Sequence, residues 1–315
     1  MSVAVLKPGL LTTVQDRGRF GCGALGVGQA GPMDEVVHRL ANALVGNPDD
    51  AAALEITLIG PRLRFDADAT IALAGAEFDA RIDGIPLTPW RPVRVKAGSV
   101  LDGGRALRGA RASLAVAGGF HAKSVLGSVA TDVNAGFGTP LRADDTLAFT
   151  GTDPVFVKHP AWSLDPRPWF DTDASKPVRL IRGRHFDVLT AASRSALFGA
   201  EFRIAVESNR VGYRLDGLRL ELVRPVEIVS EPLAFGALQL PPGGQPIALM
   251  AEHPVTGGYP RIGQVAAIDL PRLAQRRPGD SLRFEEIDLD EAQTRYLRRE
   301  RELARLLDAI TTRLA

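Results

Sequence analysis

The chain has 315 residues, about twice the usual single-domain length, so two domains are expected. Hydrophobic residues make up 45% and charged residues 24%, the balance of a globular protein with a core to bury. The 38 Lys and Arg against 37 Asp and Glu leave a net charge of +1, which argues against an electrostatically driven nucleic-acid binder. The one cysteine, Cys22, excludes a disulfide framework and a Cys-rich zinc site, and points to a reducing, cytoplasmic compartment. Residues 1–16 lack a basic stretch followed by an apolar one, and no uncharged apolar run reaches the roughly 18 residues of a membrane span.

The 32 glycines and 22 prolines cut the sequence into short pieces, as in a mainly β fold with many turns. The first candidate strands are 3–6 and 11–14. Residues 33–45 carry apolar side chains at 33, 36, 37, 40, 41, 44 and 45, a helical stripe; Pro32 suits its first turn, and Gly46 with Pro48 ends it. Strands are then expected at 62–65, 70–74, 93–95, 112–117 and 147–149. The stretch 151–176 holds Pro154, Pro160, Pro166 and Pro168 and forms a linker, whose Trp162 and Trp169 suit packing on a surface. A second set of strands follows at 178–181, 202–206, 218–222, 247–249, 265–268 and 282–284, with a helix at 187–198. The last segment, 289–314, has apolar residues at 292, 296, 303, 307, 310 and 314 amid mixed charges. It reads as a solvated helix docked by one stripe on its own chain, with Asp288 and Glu291 spaced as in a capping box. The expected division is a first domain at 1–150, the linker, a second domain at 177–287 and a C-terminal helix at 288–315.

The two halves echo each other faintly. Ile71-Ala72-Leu73 precedes a loop with Glu77, and Ile247-Ala248-Leu249 precedes one with Glu252. Ala97-Gly98-Ser99-Val100-Leu101 resembles Pro278-Gly279-Asp280-Ser281-Leu282. Two related β-barrel-like domains would suit the length.

Familiar cofactor motifs fail on context. Gly21-Cys22-Gly23-Ala24-Leu25-Gly26 fits G-x-G-x-x-G, but Gly28, Gly31 and Pro32 follow where a helix should open, so a loop with unusual backbone angles is expected. Ala117-Gly118-Gly119-Phe120-His121-Ala122-Lys123-Ser124 has alanine at both required P-loop glycines and reads as a turn after a strand. Histidines 38, 121, 159, 185 and 253 form no metal-ligand pair, and no methionine precedes a lysine, so a biotin-carrying Met-Lys is missing.

Three polar stretches set among glycines remain: Val14-Gln15-Asp16-Arg17-Gly18-Arg19, residues 207–215 around Ser208-Asn209-Arg210, and residues 251–261 around Thr256-Gly257-Gly258-Tyr259. Arg210 and Arg261 offer planar forks that suit a carboxylate or bicarbonate. The alternative is that these are structural turns whose arginines pair with local acids. On the first reading the Gly257 and Gly258 amides, with Arg261, hold a carboxylate or oxyanion. Tyr259 orients it, Glu252 or His253 moves a proton, and Thr256, Ser208, Asn209 and Arg210 line the groove. Gln15, Asp16, Arg17 and Glu55 do a parallel job, face a partner, or, for Asp16 and Glu55, bind loop amides.

The same stretches carry a resemblance. Thr12-Thr13-Val14-Gln15-Asp16-Arg17-Gly18-Arg19, Arg39-Leu40-Ala41-Asn42-Ala43-Leu44-Val45-Gly46-Asn47, Ser208-Asn209-Arg210-Val211-Gly212-Tyr213-Arg214-Leu215 and Thr256-Gly257-Gly258-Tyr259-Pro260-Arg261-Ile262 resemble the carboxyltransferase family that includes allophanate hydrolase subunit 2 and the C subunit of bacterial 5-oxoprolinase. The matches run in order over nearly the whole chain. The resemblance implies two cyclophilin-like β-barrel domains and two partner chains, similar to the B and A components of 5-oxoprolinase. It implies ATP-dependent opening of 5-oxo-L-proline to glutamate, or transfer of a carboxyl group from carboxybiotin, held in trans, to urea or another amide. Regulation through a partner similar to the B component, or binding of a small molecule without a partner, are the other classes left open. Pro254-Val255 and Ser230-Glu231-Pro232 depart from the family pattern.

Overall fold

The computed structural model describes residues 1–151 and 162–314; Pro154 and Pro160 of the expected linker, and His159, lie outside the described residues. The chain forms two compact units. The first comprises Met1–Arg19, Ala30–Asp171 and Leu303–Ala315; the second comprises Phe20–Gln29 and Thr172–Glu302.

The first unit is built on two sheets. One has the order Thr146–Ala148, Ser2–Lys7, Arg62–Phe65, Val100–Asp102, Arg81–Ile82 and Ile85–Pro86. The other has the order Leu11–Gln15, Ala53–Thr57, Ala106–Val116, Ala69–Phe78 and Val93–Val95. Side chains alternate across a strand, so Ile71 and Leu73 join Val3, Leu63, Phe65 and Leu114 in a core fed by both sheets. The alternate residues Ala72, Ala74 and Ala76 face helix α1 (Glu35–Leu44) with Val37, Leu40 and Leu44. Alanines on that face let the helix lie close. Gly75 belongs to the same contact: its φ is +106°, and a Cβ there would stand 2.6 Å from Arg111 O and 2.9 Å from Val37 Cγ1. Asp34 caps α1 by accepting from Val37 N at 3.1 Å, so the helix starts just after the expected Met33.

The second unit is a closed barrel of seven strands: Val178–Arg182, Arg261–Val265, Ala237–Gln239, Ile247–Leu249, Gly212–Asp216, Glu201–Ile204 and Ser281–Glu286. Ser281–Glu286 closes it by pairing parallel with Val178–Arg182. Helix α2 (Ala191–Gly199) is capped by Thr190, and α3 (Leu270–Ala274) is a single short turn that the apolar pattern does not indicate. Helix α4 covers Leu289–Leu314 as expected; Asp288 accepts from Glu291 N at 2.8 Å. Its Leu303, Ile310 and Leu314 are buried with Phe170 and Trp90 in the first unit's helix-side core.

Three expectations need correction. The first unit's strands form two sheets, not a closed barrel. Residues 218–222 alternate like a strand but make only the isolated bridge Leu189–Leu222. The strand expected at 265–268 runs instead over Arg261–Val265, and Ala267–Asp269 is a 3-10 turn. The glycine loop at 21–26 does use left-handed angles, at Gly21 (φ 77°) and Gly26 (φ 75°), around the 3-10 turn Gly23–Leu25. Gly118 (φ 84°) and Gly119 (φ 72°) likewise form a turn after Ala106–Val116.

Candidate functional site

In the second unit the strand Val178–Arg182 ends beside the start of Arg261–Val265, where Arg182 pairs with Gly263. The chain then folds back over that end: Gly183 N donates to Ile262 O, and His185 N donates to Arg261 O at 2.9 Å. Gly183 is dictated by the approach, since a Cβ there would lie 2.3 Å from Arg261 O. From the other side, Glu231 sits in the short strand Glu231–Pro232, paired with Thr256–Gly257. These two foldings bring four side chains together. Arg261 Nε donates to Glu231 Oε1 at 2.5 Å, and Arg184 Nη1 donates to Glu231 Oε2 at 3.3 Å. His185 Nδ1 accepts from Arg261 N at 3.1 Å and stands 3.7 Å from Glu231 Oε1. The neutral ring therefore carries its proton on Nε2. Desolvation pushes the Glu231 carboxyl upward, but the Arg261 hydrogen bond and charge, with the charge of Arg184, together hold it below the ordinary glutamate value.

A cavity of about 380 Å³ opens beside this cluster, lined by Arg184, His185, Glu227, Ser230 and Glu231 among others. A larger groove of about 830 Å³ is mostly apolar, with Leu220, Leu222, Val226, Pro241, Pro242 and Tyr259 in its wall. Glu227 and Ile228 line both. Gly258 is where their wall meets residues 256–261: a Cβ there would lie 3.1 Å from Ile228 O. Gly257 is equally constrained, with Leu233 Cδ1 at 2.8 Å and Gln239 Nε2 at 2.9 Å from a would-be Cβ.

The other arginine is spent differently. Arg210 and Glu252 are both buried, and Arg210 Nε donates to Glu252 Oε1 at 2.6 Å. Ser208 Oγ accepts from Arg214 N, and Asn209 Oδ1 from Val211 N, so both fasten the turn that leads into Gly212–Asp216. His253 Nδ1 lies 2.8 Å from Pro254 O, which places its proton there and leaves Nε2 as the basic nitrogen.

The polar residues expected in the first unit are mostly turned inward. Asp16 accepts from Ser128 Oγ at 2.5 Å, Val129 N at 2.8 Å and Gly18 N at 2.9 Å. Gln15 is fully buried and donates to Thr13 Oγ1 and Thr131 O, while its Oε1 has no hydrogen-bond partner among the described residues. Glu55 is buried and accepts from Met33 N at 2.6 Å. Arg17 pairs with the half-exposed Glu35 at 2.6 Å. His38, buried in α1, accepts from Asn42 Nδ2 at 3.2 Å, and desolvation lowers its pKa to about 4 against weaker pulls from Glu55, Asp16 and Asp49. Among the described residues no three His, Cys, Asp or Glu side chains converge as a metal site, and no helix is long and apolar enough to cross a membrane.

The carboxyltransferase domain model, subdomain A and B, matches residues 25–286. The chain belongs to that family. It is 35% identical to the C subunit of 5-oxoprolinase from Haemophilus influenzae over 92% of both chains. It superposes on the crystal structure of TTHA0988 with a TM-score of 0.81 at 35% identity, covering 90% of this chain and 55% of that one. The K. lactis urea amidolyase matches at a TM-score of 0.86 and 28% identity, over 98% of this chain and 20% of that one. The chain thus spans about half of the first of these solved structures and a fifth of the second.

Of the residues expected to act together in this carboxyltransferase-family fold, Gly258 and Tyr259 line the groove, while Arg261 joins the charged cluster beyond the shared wall. Thr256 and Gly257 pair with Pro232 and Glu231 at the edge of that cluster. Arg210 and Glu252 form a pair of their own. Sequence reasoning missed Arg184, His185 and Glu227, and took Glu231 only as a departure in pattern. Gly183-Arg184-His185, a glycine just after a strand followed by two polar residues, was the available signal.

Proposed function

We propose that this chain is the C-type component of an ATP-dependent 5-oxoprolinase, opening 5-oxo-L-proline to L-glutamate with A-type and B-type partner chains in the cytoplasm. The observation that carries the reading is the 35% identity to the C subunit of a 5-oxoprolinase that extends over 92% of both chains. ATP is used by the assembled complex. Both units derive from the cyclophilin-like plan, closed in the second and opened into two sheets in the first.

In this reading Arg261, oriented by Glu231, and the Gly257 and Gly258 amides hold a carboxylate or developing oxyanion. Tyr259 orients the bound molecule from the groove wall. His253 accepts the proton at Nε2, since Glu252 serves as the charge partner of Arg210. Ser208 and Asn209 hold the turn into Gly212–Asp216, and Arg210 holds Glu252. Gln15, Asp16, Arg17 and Glu55 support the first unit's architecture. The likeness to urea amidolyase keeps a second reading: a carboxyltransferase half that accepts a carboxyl group from carboxybiotin carried by another chain and passes it to urea or another amide.

The test is glutamate release from 5-oxo-L-proline and ATP by the purified A-type and B-type partners, with and without this chain. The first reading expects release only when the chain is present. Release that is the same without it contradicts that reading.

A further inference from the structure

We infer that the free edge of the strand Val93–Val95, in the first unit, docks an extended acidic segment of another chain, which adds to the sheet as a further strand. Val93–Val95 is the last strand of its sheet, and Ile85–Pro86 is the last of the other. A cavity of about 380 Å³ is lined from both, by Ile85 and Pro86 on one side and by Val93, Arg94 and Val95 on the other. The second unit closes its barrel by pairing Ser281–Glu286 with Val178–Arg182, whereas the first leaves these two edges apart.

The backbone register shows which groups the edge offers. Val93 pairs with Ile71, Arg94 with Thr70 and Val95 with Ala69. Thr70 O accepts from Ala117 N at 2.8 Å, so Thr70 turns its backbone groups away from Val93–Val95. Leu73 O accepts from Trp90 N, so the odd-numbered residues of Ala69–Phe78 face the other way. Backbone groups alternate sides along an antiparallel pair, so Val93 and Val95 bond to Ala69–Phe78 and Arg94 turns its N–H and C=O to the free edge. Pro86 has no N–H to give, which makes Ile85–Pro86 the poorer template.

The side chains select the occupant. Arg91, Arg94 and Lys96 line the cavity against one acid, Asp83. Asp83 is already engaged, accepting from Val100 N at 2.8 Å and from the Ser99 hydroxyl. Among the described residues the Arg94 side chain makes no hydrogen bond or ion pair, and its Nε is buried without a partner. Lys96 bonds the exposed Asp68 at 2.9 Å, and its own side chain is 77% exposed. Arg94 and Lys96 lie two residues apart on one face, so acids two apart on an added strand meet both of them. The residue between those acids faces the side of Val93 and Val95, where Ile82 and Leu87 also line the cavity. The expected pattern is Glu-Val-Glu. A second copy of this edge does not fit, because antiparallel pairing about Arg94 sets two arginines directly opposite.

Three acetylated and amidated peptides, titrated against the full chain, test this. They are Thr-Glu-Val-Glu-Val-Thr, its analogue Thr-Lys-Val-Lys-Val-Thr, and the first peptide with its backbone nitrogens methylated, which keeps the charges and loses the donors. The Glu peptide should bind at millimolar concentration or below, and the other two more weakly by about tenfold or more. Hydrogen exchange at Arg94 N–H should slow by about tenfold or more in the complex, while Val93 and Val95, already bonded to the neighbouring strand, keep their rates. Arg94→Glu should weaken the Glu peptide by about tenfold or more and make the Lys peptide the better ligand. Arg94→Gln, the milder change, should weaken the Glu peptide without that reversal.

No binding of the Glu peptide at millimolar concentration, or equal binding of the Lys peptide, overturns the docking site; the cations then guard the edge against pairing. Equal binding of the methylated peptide, or unaltered exchange at Arg94 in the complex, overturns it too, since charge alone then holds the peptide and no strand is added.

Discussion

Both units contain the same glycine turn leading into a strand, yet they dispose of their polar groups in opposite ways. In the first unit Gly98 (φ 86°) follows Arg62–Phe65 in space: Gly98 N donates to Phe65 O and Phe65 N to Ser99 O. In the second, Gly279 (φ 88°) repeats the arrangement, with Gly279 N donating to Ile204 O and Ile204 N to Asp280 O. The left-handed glycine precedes Val100–Asp102 in one unit and Ser281–Glu286 in the other. The common turn confirms that the echo between residues 97–101 and 278–282 is structural. Around it, the first unit turns Asp16, Gln15, Glu55 and His38 inward onto its own chain. The second leaves Arg184 and Glu231 against an open cavity, with Arg261 bonded to Glu231. Buried polar groups satisfied by loop amides hold a shape; donors left over at an opening are available to a ligand.

That contrast can be broken by measurement. The largest stability effect is expected at the buried Arg210–Glu252 pair of the second unit. Glu252→Ala leaves the Arg210 guanidinium buried without its acid and should cost about 3–5 kcal/mol in urea denaturation. A loss under about 1 kcal/mol would mean that water reaches the pair.

His38 comes next. Its folded pKa, about 4, lies below the unfolded value near 6.5, so the folded chain binds this proton more weakly. The effect is absent above about pH 6.5 and grows as the pH falls towards 4, where it reaches ~3 kcal/mol of destabilisation. His38→Gln should flatten the stability profile in that window. An unchanged slope would place the acid sensitivity on other groups.

Asp16 is expected to matter less. Asp16→Asn weakens an acceptor of three bonds and should cost about 1–3 kcal/mol, with faster hydrogen exchange at Val129. The smallest change in stability belongs to the open cluster: Arg184→Gln should stay within about 0.5 kcal/mol of the parent.

Much of this architecture was legible from residue pattern. Helix α4 showed its 3.6-residue stripe and its cap, because a long helix repeats its signal many times. The strands Arg62–Phe65, Val93–Val95 and Ile247–Leu249 match their apolar runs to the residue. Residues 218–222 misled because Leu220 and Leu222 alternate to line the apolar groove, a loop's use of the same period. Arg261–Val265 was placed too late because Arg261 and Gln264 interrupt the apolar run. In the site, Ser208 and Asn209 bond within their own turn and Arg210 pairs with Glu252, contacts that the polar composition alone does not distinguish from a ligand site. His185 and Glu231 were invisible as partners, since only the closing of the barrel and the short pairing of Glu231–Pro232 with Thr256–Gly257 bring them within 3.7 Å.

The division of labour between the units is tested most directly by one paired measurement. Arg261→Ala and Asp16→Asn are each assembled with the A-type and B-type partners, and glutamate release at saturating 5-oxo-L-proline is compared with Tm. We predict that Arg261→Ala lowers turnover by about a hundredfold with Tm nearly kept, while Asp16→Asn lowers Tm and keeps turnover well below its melting point. Full turnover in Arg261→Ala, with turnover lost in a folded Asp16→Asn, would contradict the account and move the chemistry to the first unit.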